Sequence, residues 1–290
     1  MTIKDQIKLL KSRGLTITDE PAAEMFLSRV SYYRFSAYFL PFQLKDGTHT
    51  FKPKSSFEKA LLTYLFDREL RHIVFNAIEE IEIALRARLI NIFSLAHGGY
   101  WYTEGTLFFD QTRYLDSMDR LMEDIQKSNE TFIKHYRNKY HTPALPPAWM
   151  ALEVMSFGNL SKLYKNLIFE KGKEAVAQSF NLTDVLLTSW LESLTYVRNT
   201  CAHHARLWNR KLTLKLKFPK KIKSPWLTIL PTDEGRVYVI IAIIHFLLRA
   251  IGDDGKFYLQ IKSLIDNNPT IPLHPMGFPA NWRDDQFWKL

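Results

Sequence analysis

Between Ser55-Ser56 and Ala96 the chain carries neither glycine nor proline, and its apolar residues recur at helical spacing. Leu62, Phe66, Leu70, Ile73, Ala77, Ile81 and Leu85 fall three and four apart, which predicts one long helix with a buried face. Phe75, Ile83 and Ile90 occupy the opposite side, so the helix is expected to be covered on both faces. Most of the remaining chain also reads as helix. Thr18-Asp19-Glu20-Pro21 offers an N-cap followed by a first-turn proline, so a helix is expected to run to about Val30. Gly47 marks a turn in a short hairpin, and His97-Gly98-Gly99 stops the long helix. A more polar helix is expected over 113–138, one from Trp149 to Phe157, a break at Gly158-Asn159, and another from Ser161 to Phe169. Thr183-Asp184 caps a helix taken to Arg206. Leu212, Leu214, Leu216 and Phe218 alternate with Thr213, Lys215 and Lys217, which predicts a short strand with a basic outer face. The expected organisation is all-α: a helical extension over 1–55, a helical core over 56–250, and a tail over 251–290 packed on the core. From about Asn267 the tail is expected to be irregular.

The formal charge is +9, and a surplus of that size favours a polyanionic partner, most simply nucleic acid. The basic residues also crowd: Arg206, Arg210, Lys211, Lys215, Lys217, Lys220, Lys221 and Lys223 follow closely on one another, and the first seven are the candidate RNA contacts. A single cysteine excludes a disulfide framework and a cysteine-rich zinc site, and points to a reducing compartment. The first residues lack the apolar stretch of a signal peptide. The longest apolar run, Val237 to Leu248, is too short for a bilayer and holds His245, so a buried helix is expected there. A cytoplasmic protein without metal, cofactor or membrane partner is the resulting expectation.

The predicted helix over 184–206 separates two adjacent histidines. Leu187, Trp190, Leu194, Val197 and Cys201 step by three and four and form its core stripe. At about 100° per residue His204 falls near that stripe and reads as semi-buried, whereas His203 and Asn199 fall on the far side with Glu192 and Thr195. Arg198 flanks this polar face. Such a face is equally the solvated side of a surface helix, and Arg–x4–His alone is a weak signal. Glu82, sharing a face of the long helix with Glu79 and Arg86, is placed to orient Arg198 or His203, or simply to pair with Arg86 four residues on. Arg29, Tyr32, Tyr33, Arg34 and Tyr38 interleave basic and aromatic groups, as RNA-stacking surfaces do and as helix-packing tyrosines also do. The histidines at 72, 97, 135, 141 and 245 are scattered and carry no expected role.

The segment Leu194-Thr195-Tyr196-Val197-Arg198-Asn199-Thr200-Cys201-Ala202-His203-His204-Ala205-Arg206-Leu207-Trp208-Asn209-Arg210 resembles the signature of HEPN-fold ribonucleases. In this long form it is similar to the Abi-like (AbiD/AbiF-type) abortive-infection proteins of bacteria. Further blocks carry the resemblance: Arg13-Gly14-Leu15 with Tyr32 to Ser36, Phe66 to Arg71 with Ile78 to Arg86, Pro146 to Ser161, and Gly277-Phe278-Pro279 with Trp282. The resemblance implies a HEPN-type helical bundle and a metal-independent endoribonuclease toxin of an anti-phage system. It assigns RNA cleavage to Arg198 and His203, with Asn199, the third catalytic candidate, in the polar position that commonly follows the arginine; Glu82 and His204 are supporting candidates by their places on the helices alone. It also implies a homodimer with a composite site, and an antitoxin partner, RNA or protein. The chemistry suits those residue types: the 2′-hydroxyl of RNA attacks the adjacent phosphate, histidine moves protons near neutral pH, and arginine holds the phosphate. The products would carry a 2′,3′-cyclic phosphate and a 5′-hydroxyl. The alternatives are a non-catalytic RNA-binding module, and a dimer whose polar stripe only packs against its twin.

Overall fold

The computed structural model describes residues 1–168, 171–213, 216–219 and 224–289. Among them the chain forms twelve α-helices and no strand. Helices α1 (Ile3–Ser12), α2 (Glu20–Arg29) and α3 (Tyr32–Ser36) precede the long α4 (Phe57–His97). Then come α5 (Gln111–Lys127), α6 (Thr131–Lys139), α7 (Ala148–Val154), α8 (Phe157–Asn166) and α9 (Lys171–Gln178). The chain continues through α10 (Asp184–Ala202), α11 (Val237–Ala250) and α12 (Lys256–Asp266).

At 41 residues α4 spans about 60 Å and is the axis of the molecule. Ser56 caps its start by accepting the Lys59 N–H at 3.3 Å, and Gly98, at φ +82°, ends it. Its predicted stripe is buried from Phe66 to Leu85 apart from a half-buried Ile73, but Leu62 is exposed. The opposite side is only partly covered: Phe75 and Ile90 pack against the core, whereas Ile83 is 60 % exposed. Helices α7, α9, α10, α11 and α12 pack around it. Every residue of α11 from Val237 to Leu248 is buried, which places that apolar run inside the bundle as expected. The tail adds α12 and three single turns, and buries Trp282 and Trp288.

The first 60 residues hold a second, aromatic core of Phe26, Phe35, Tyr38, Phe39, Phe51 and Phe57 with smaller apolar residues. Phe35 is edge-on to Phe26 at 4.8 Å and to Phe39 at 4.7 Å, a favoured geometry for packed rings. Around Gly47 the chain doubles back with one antiparallel bridge, Gln43 to Phe51.

Three expectations change. The polar helix over 113–138 is two, α5 and α6, because the Ser128 hydroxyl accepts the Glu130 N–H at 3.2 Å and breaks the ladder. The break expected at Gly158-Asn159 falls instead before Ser156, whose hydroxyl caps α8 by accepting the Asn159 N–H at 3.3 Å. Gly158 lies inside α8, where a β-carbon would meet Thr195 Cγ2 of α10 at 3.5 Å, an ordinary packing distance. The strand expected over Leu212–Phe218 is not formed among the described residues, and Leu214 and Lys215 lie outside them. The Leu212 N–H is donated to the Gly235 carbonyl at 2.8 Å. The Lys217 N–H goes to the Ser189 hydroxyl, and its carbonyl accepts from Trp190 Nε1, both at 3.0 Å. Backbone groups there are satisfied by side chains and a loop rather than by a neighbouring strand.

Candidate functional site

Helix α10 places the motif. Thr183 caps its start, and Leu187, Trp190, Leu194, Val197 and Cys201 are buried as the wheel required. Glu192 and Asn199 are exposed, while Arg198, Thr195 and Tyr196 are half-buried. The helix ends at Ala202, four residues earlier than the periodicity implied. His203 is its C-cap, and His204 takes the left-handed conformation at φ +54°. The His204 N–H reaches the Cys201 carbonyl at 2.9 Å and the Ala205 N–H reaches Thr200 at 3.0 Å, which together make a Schellman closure. Both histidines are exposed, so His204 is not the semi-buried residue that an unbroken helix would have made it.

A buried acid on α4 anchors the chain just beyond the helix. The Asp67 carboxylate accepts the Leu207 N–H at 3.0 Å and the Trp208 N–H at 2.5 Å, and also bonds the Tyr38 hydroxyl and the Arg71 guanidinium. Burial pushes the Asp67 carboxyl up, against the pull of Arg71 and of the three other donors. Arg34 of α3 donates to the His204 carbonyl at 2.5 Å. Two segments far from it in sequence, α4 and the stretch from Arg34 to Tyr38, therefore hold the turn that presents His203 and His204. An acidic residue between Phe66 and Leu70 on the apolar stripe of the longest helix, with an arginine four residues on, was the legible sign of this hub.

Arg198 points to α4. It lines a cleft of 220 Å³ with Phe75, Glu79, Glu82, Arg86 and Glu153. Its guanidinium lies 5.6 Å from the centre of the Phe75 ring, and Nη1 sits 3.5 Å from Asn199 Oδ1. Glu82 is held by Arg86 Nη2 at 2.7 Å, and Arg86 also donates to the carbonyls of Leu152 and Met155. Burial pushes the Glu82 carboxyl up, opposed by the charges of Arg86 and Arg198. Among the described residues Arg198 has no direct ion pair, although the charge of Glu82 acts on it across the cleft. Arg198, Asn199 and Glu82 are thus brought together. No hydrogen bond joins that group to His203, which stands about one turn and a half further along the helix axis. Phe75, expected only as a packing residue, and Glu153, given no role by the sequence, complete the cleft with Ile83.

The basic positions divide. Arg206 donates to the Ala37 carbonyl, and burial pushes its guanidinium down. Arg210 Nε bonds the Tyr196 hydroxyl at 3.1 Å. Both therefore brace the turn. Lys211 and Lys217 are exposed, and Lys215, Lys220, Lys221 and Lys223 lie outside the described residues. Of the aromatic run, Tyr38 is buried on Asp67 and Tyr32 is half-buried beside Phe39. Tyr33, next to Arg34, is 90 % exposed.

Burial pushes the Cys201 thiol up to about 12, so it is a packed apolar side chain and not a nucleophile. Among the described residues no group of three His, Cys, Asp or Glu side chains is placed to hold a metal ion, and no helix is long and apolar enough to cross a membrane. No curated protein and no solved structure matches the chain. The model of the Abi-like protein family matches residues 25–209, from α2 through α10 and the turn that follows it. With well over half of its length matched, the chain belongs to the Abi-like protein family.

Proposed function

We propose that the protein is an endoribonuclease of an abortive-infection system, cleaving RNA through Arg198, Asn199 and His203. The observation that carries the reading is the pairing, on one helix, of an arginine without an ion-pair partner and an exposed histidine at the helix end. His203 moves the proton between the 2′-hydroxyl, or the 5′-oxygen leaving group, and solvent. Arg198 holds a non-bridging oxygen and stabilises the charge that builds on the phosphorane, with Asn199 as its neighbouring hydrogen-bond donor. Glu82, anchored by Arg86, sets the electrostatics of the cleft behind Arg198. Acid–base transfer with 2′-hydroxyl attack calls for no metal.

A single chain offers one His203, whereas proton removal and delivery are easier with two. A two-fold dimer with the α10 faces opposed would bring the second His203 into play. The apolar Ile83 beside Arg198, 60 % exposed, offers such a partner a contact. The reading includes a toxin role in the cytoplasm, restrained by an antitoxin.

End-labelled single-stranded RNA in EDTA tests this. Wild type is expected to cleave, and His203→Ala to lose about 10²–10⁴-fold in rate. A second reading, a non-catalytic RNA-binding module, is favoured by the absence of a hydrogen bond between Arg198 and His203 in the single chain. It predicts tight RNA binding by both proteins and cleavage by neither.

A further inference from the structure

A second cleft opens nearer the N-terminus of α10, about 120° around the helix from Arg198. It measures 280 Å³ and is lined by Arg113, Asp116, Ser117, Arg120, Lys162, Lys165 and Glu192. Three helices contribute: Arg113 and Arg120 come from α5, seven residues apart on one face, Lys162 and Lys165 from α8, and Glu192 from α10. Four cations stand against two carboxylates. Two of the cations are engaged, Lys165 with Glu192 at 2.5 Å and Arg113 with Asp110 at 3.0 Å. Arg120 and Lys162 are exposed and have no ion pair or hydrogen bond to any described residue. Two uncommitted cations in one concave site form an anion-binding arrangement.

Its place on α10 says which anion. Asn199 and His203 are seven and eleven residues beyond Glu192, so each lies within about 20° of it, on opposite sides, and the three span about 40° of the helix surface. The cleft therefore begins the exposed stripe on which Asn199 and His203 lie, about 10 Å from Asn199 and about 16 Å from His203 along the axis. Phosphates a few nucleotides apart on one extended strand can meet both places, and a free phosphate or mononucleotide can meet only one. We propose that the Arg113–Arg120–Lys162–Lys165 cleft is a second binding site for the phosphodiester backbone of the RNA, setting the register of the strand across Arg198 and His203. This rests on the RNA-cleaving reading above and names where its substrate continues.

The test is binding of labelled single-stranded RNA to the full chain carrying His203→Ala, so that cleavage does not enter. It is compared with the same chain carrying Arg120→Ala and Lys162→Ala as well. Both side chains are exposed and unpaired, so the added changes should leave the melting temperature unchanged. The expected result is weaker binding, with the slope of log K against log salt reduced by about 1.4, the loss of two backbone contacts on a single strand. The defect should vanish for a dinucleotide, too short to reach the cleft, and Arg120→Lys with Lys162→Arg should restore binding. An unchanged slope on long RNA overturns the cleft assignment and leaves the ribonuclease reading standing. Loss of mononucleotide or inorganic phosphate binding with RNA binding intact also overturns it, because the cleft would then hold a free anion. No RNA binding by the His203→Ala chain, together with no cleavage by wild type, overturns the ribonuclease reading and the cleft assignment with it.

Discussion

His204 occupies the left-handed position that glycine or asparagine usually takes when a helix closes in a Schellman motif. A side chain with a β-carbon is disfavoured there by roughly 1–2 kcal/mol. His204→Gly is therefore expected to raise stability by about 1 kcal/mol after glycine's own entropy loss, read from chemical denaturation. RNA cleavage should persist, because only the His204 carbonyl, which accepts from Arg34, is used. Loss of cleavage in His204→Gly would show that its imidazole takes part in the chemistry. Choosing between the two histidines from the sequence relied on a helix that continued to Arg206, and burial does not separate them. What separates them is conformation: His203 caps the helix and His204 turns the chain. Arg198, by contrast, was legible as a long side chain flanking the polar stripe.

At the scale of elements, the turn that follows α10 is anchored by Asp67, which lies 140 positions earlier than Leu207, whose amide it accepts. Asp67→Ala would leave Arg71 buried without its partner and two amides without an acceptor, at a cost of about 3–5 kcal/mol. Denaturant unfolding measures the loss. If Asp67→Ala costs under 1 kcal/mol, the hub is not what holds the turn. The same example shows why some elements were readable and others were not. Helices α4 and α11 announce themselves through local signals, a Ser cap and a helical stripe in one and an unbroken apolar run in the other. The chain just beyond α10 is anchored by a side chain from another helix, and no local residue carries that information. Gly158 misled because the start of α8 is set by the Ser156 cap two positions earlier, and a glycine inside a helix is tolerated. The alternating Leu212–Phe218 segment looked like a strand because period two records which side is buried, not which partner the backbone finds.

At the scale of the whole molecule, His245 lies in the main core against the rings of Tyr258, Phe287 and Trp288. Burial, helped by the charge of Arg249, pushes it down to about 4. In the unfolded chain it titrates near its ordinary value of 6.5, so as pH falls the unfolded state takes up the proton first. Its contribution to stability is therefore complete above about pH 6.5 and is lost as pH falls toward 4, by about 3 kcal/mol. Melting curves between pH 7 and 4 should show this loss, and His245→Phe should flatten it. Equal slopes in the two proteins would place the acid sensitivity elsewhere. The proposed dimer belongs to this scale too: sedimentation should give twice the mass of the chain, and cleavage should fall on dilution below the dimer's dissociation constant. The most direct test of the central claim is the end chemistry of RNA cut by wild type in EDTA. A 2′,3′-cyclic phosphate facing a 5′-hydroxyl, absent with His203→Ala, is the predicted result. A 3′-hydroxyl facing a 5′-phosphate would mean that water, not the 2′-hydroxyl, is the nucleophile, and would contradict the account.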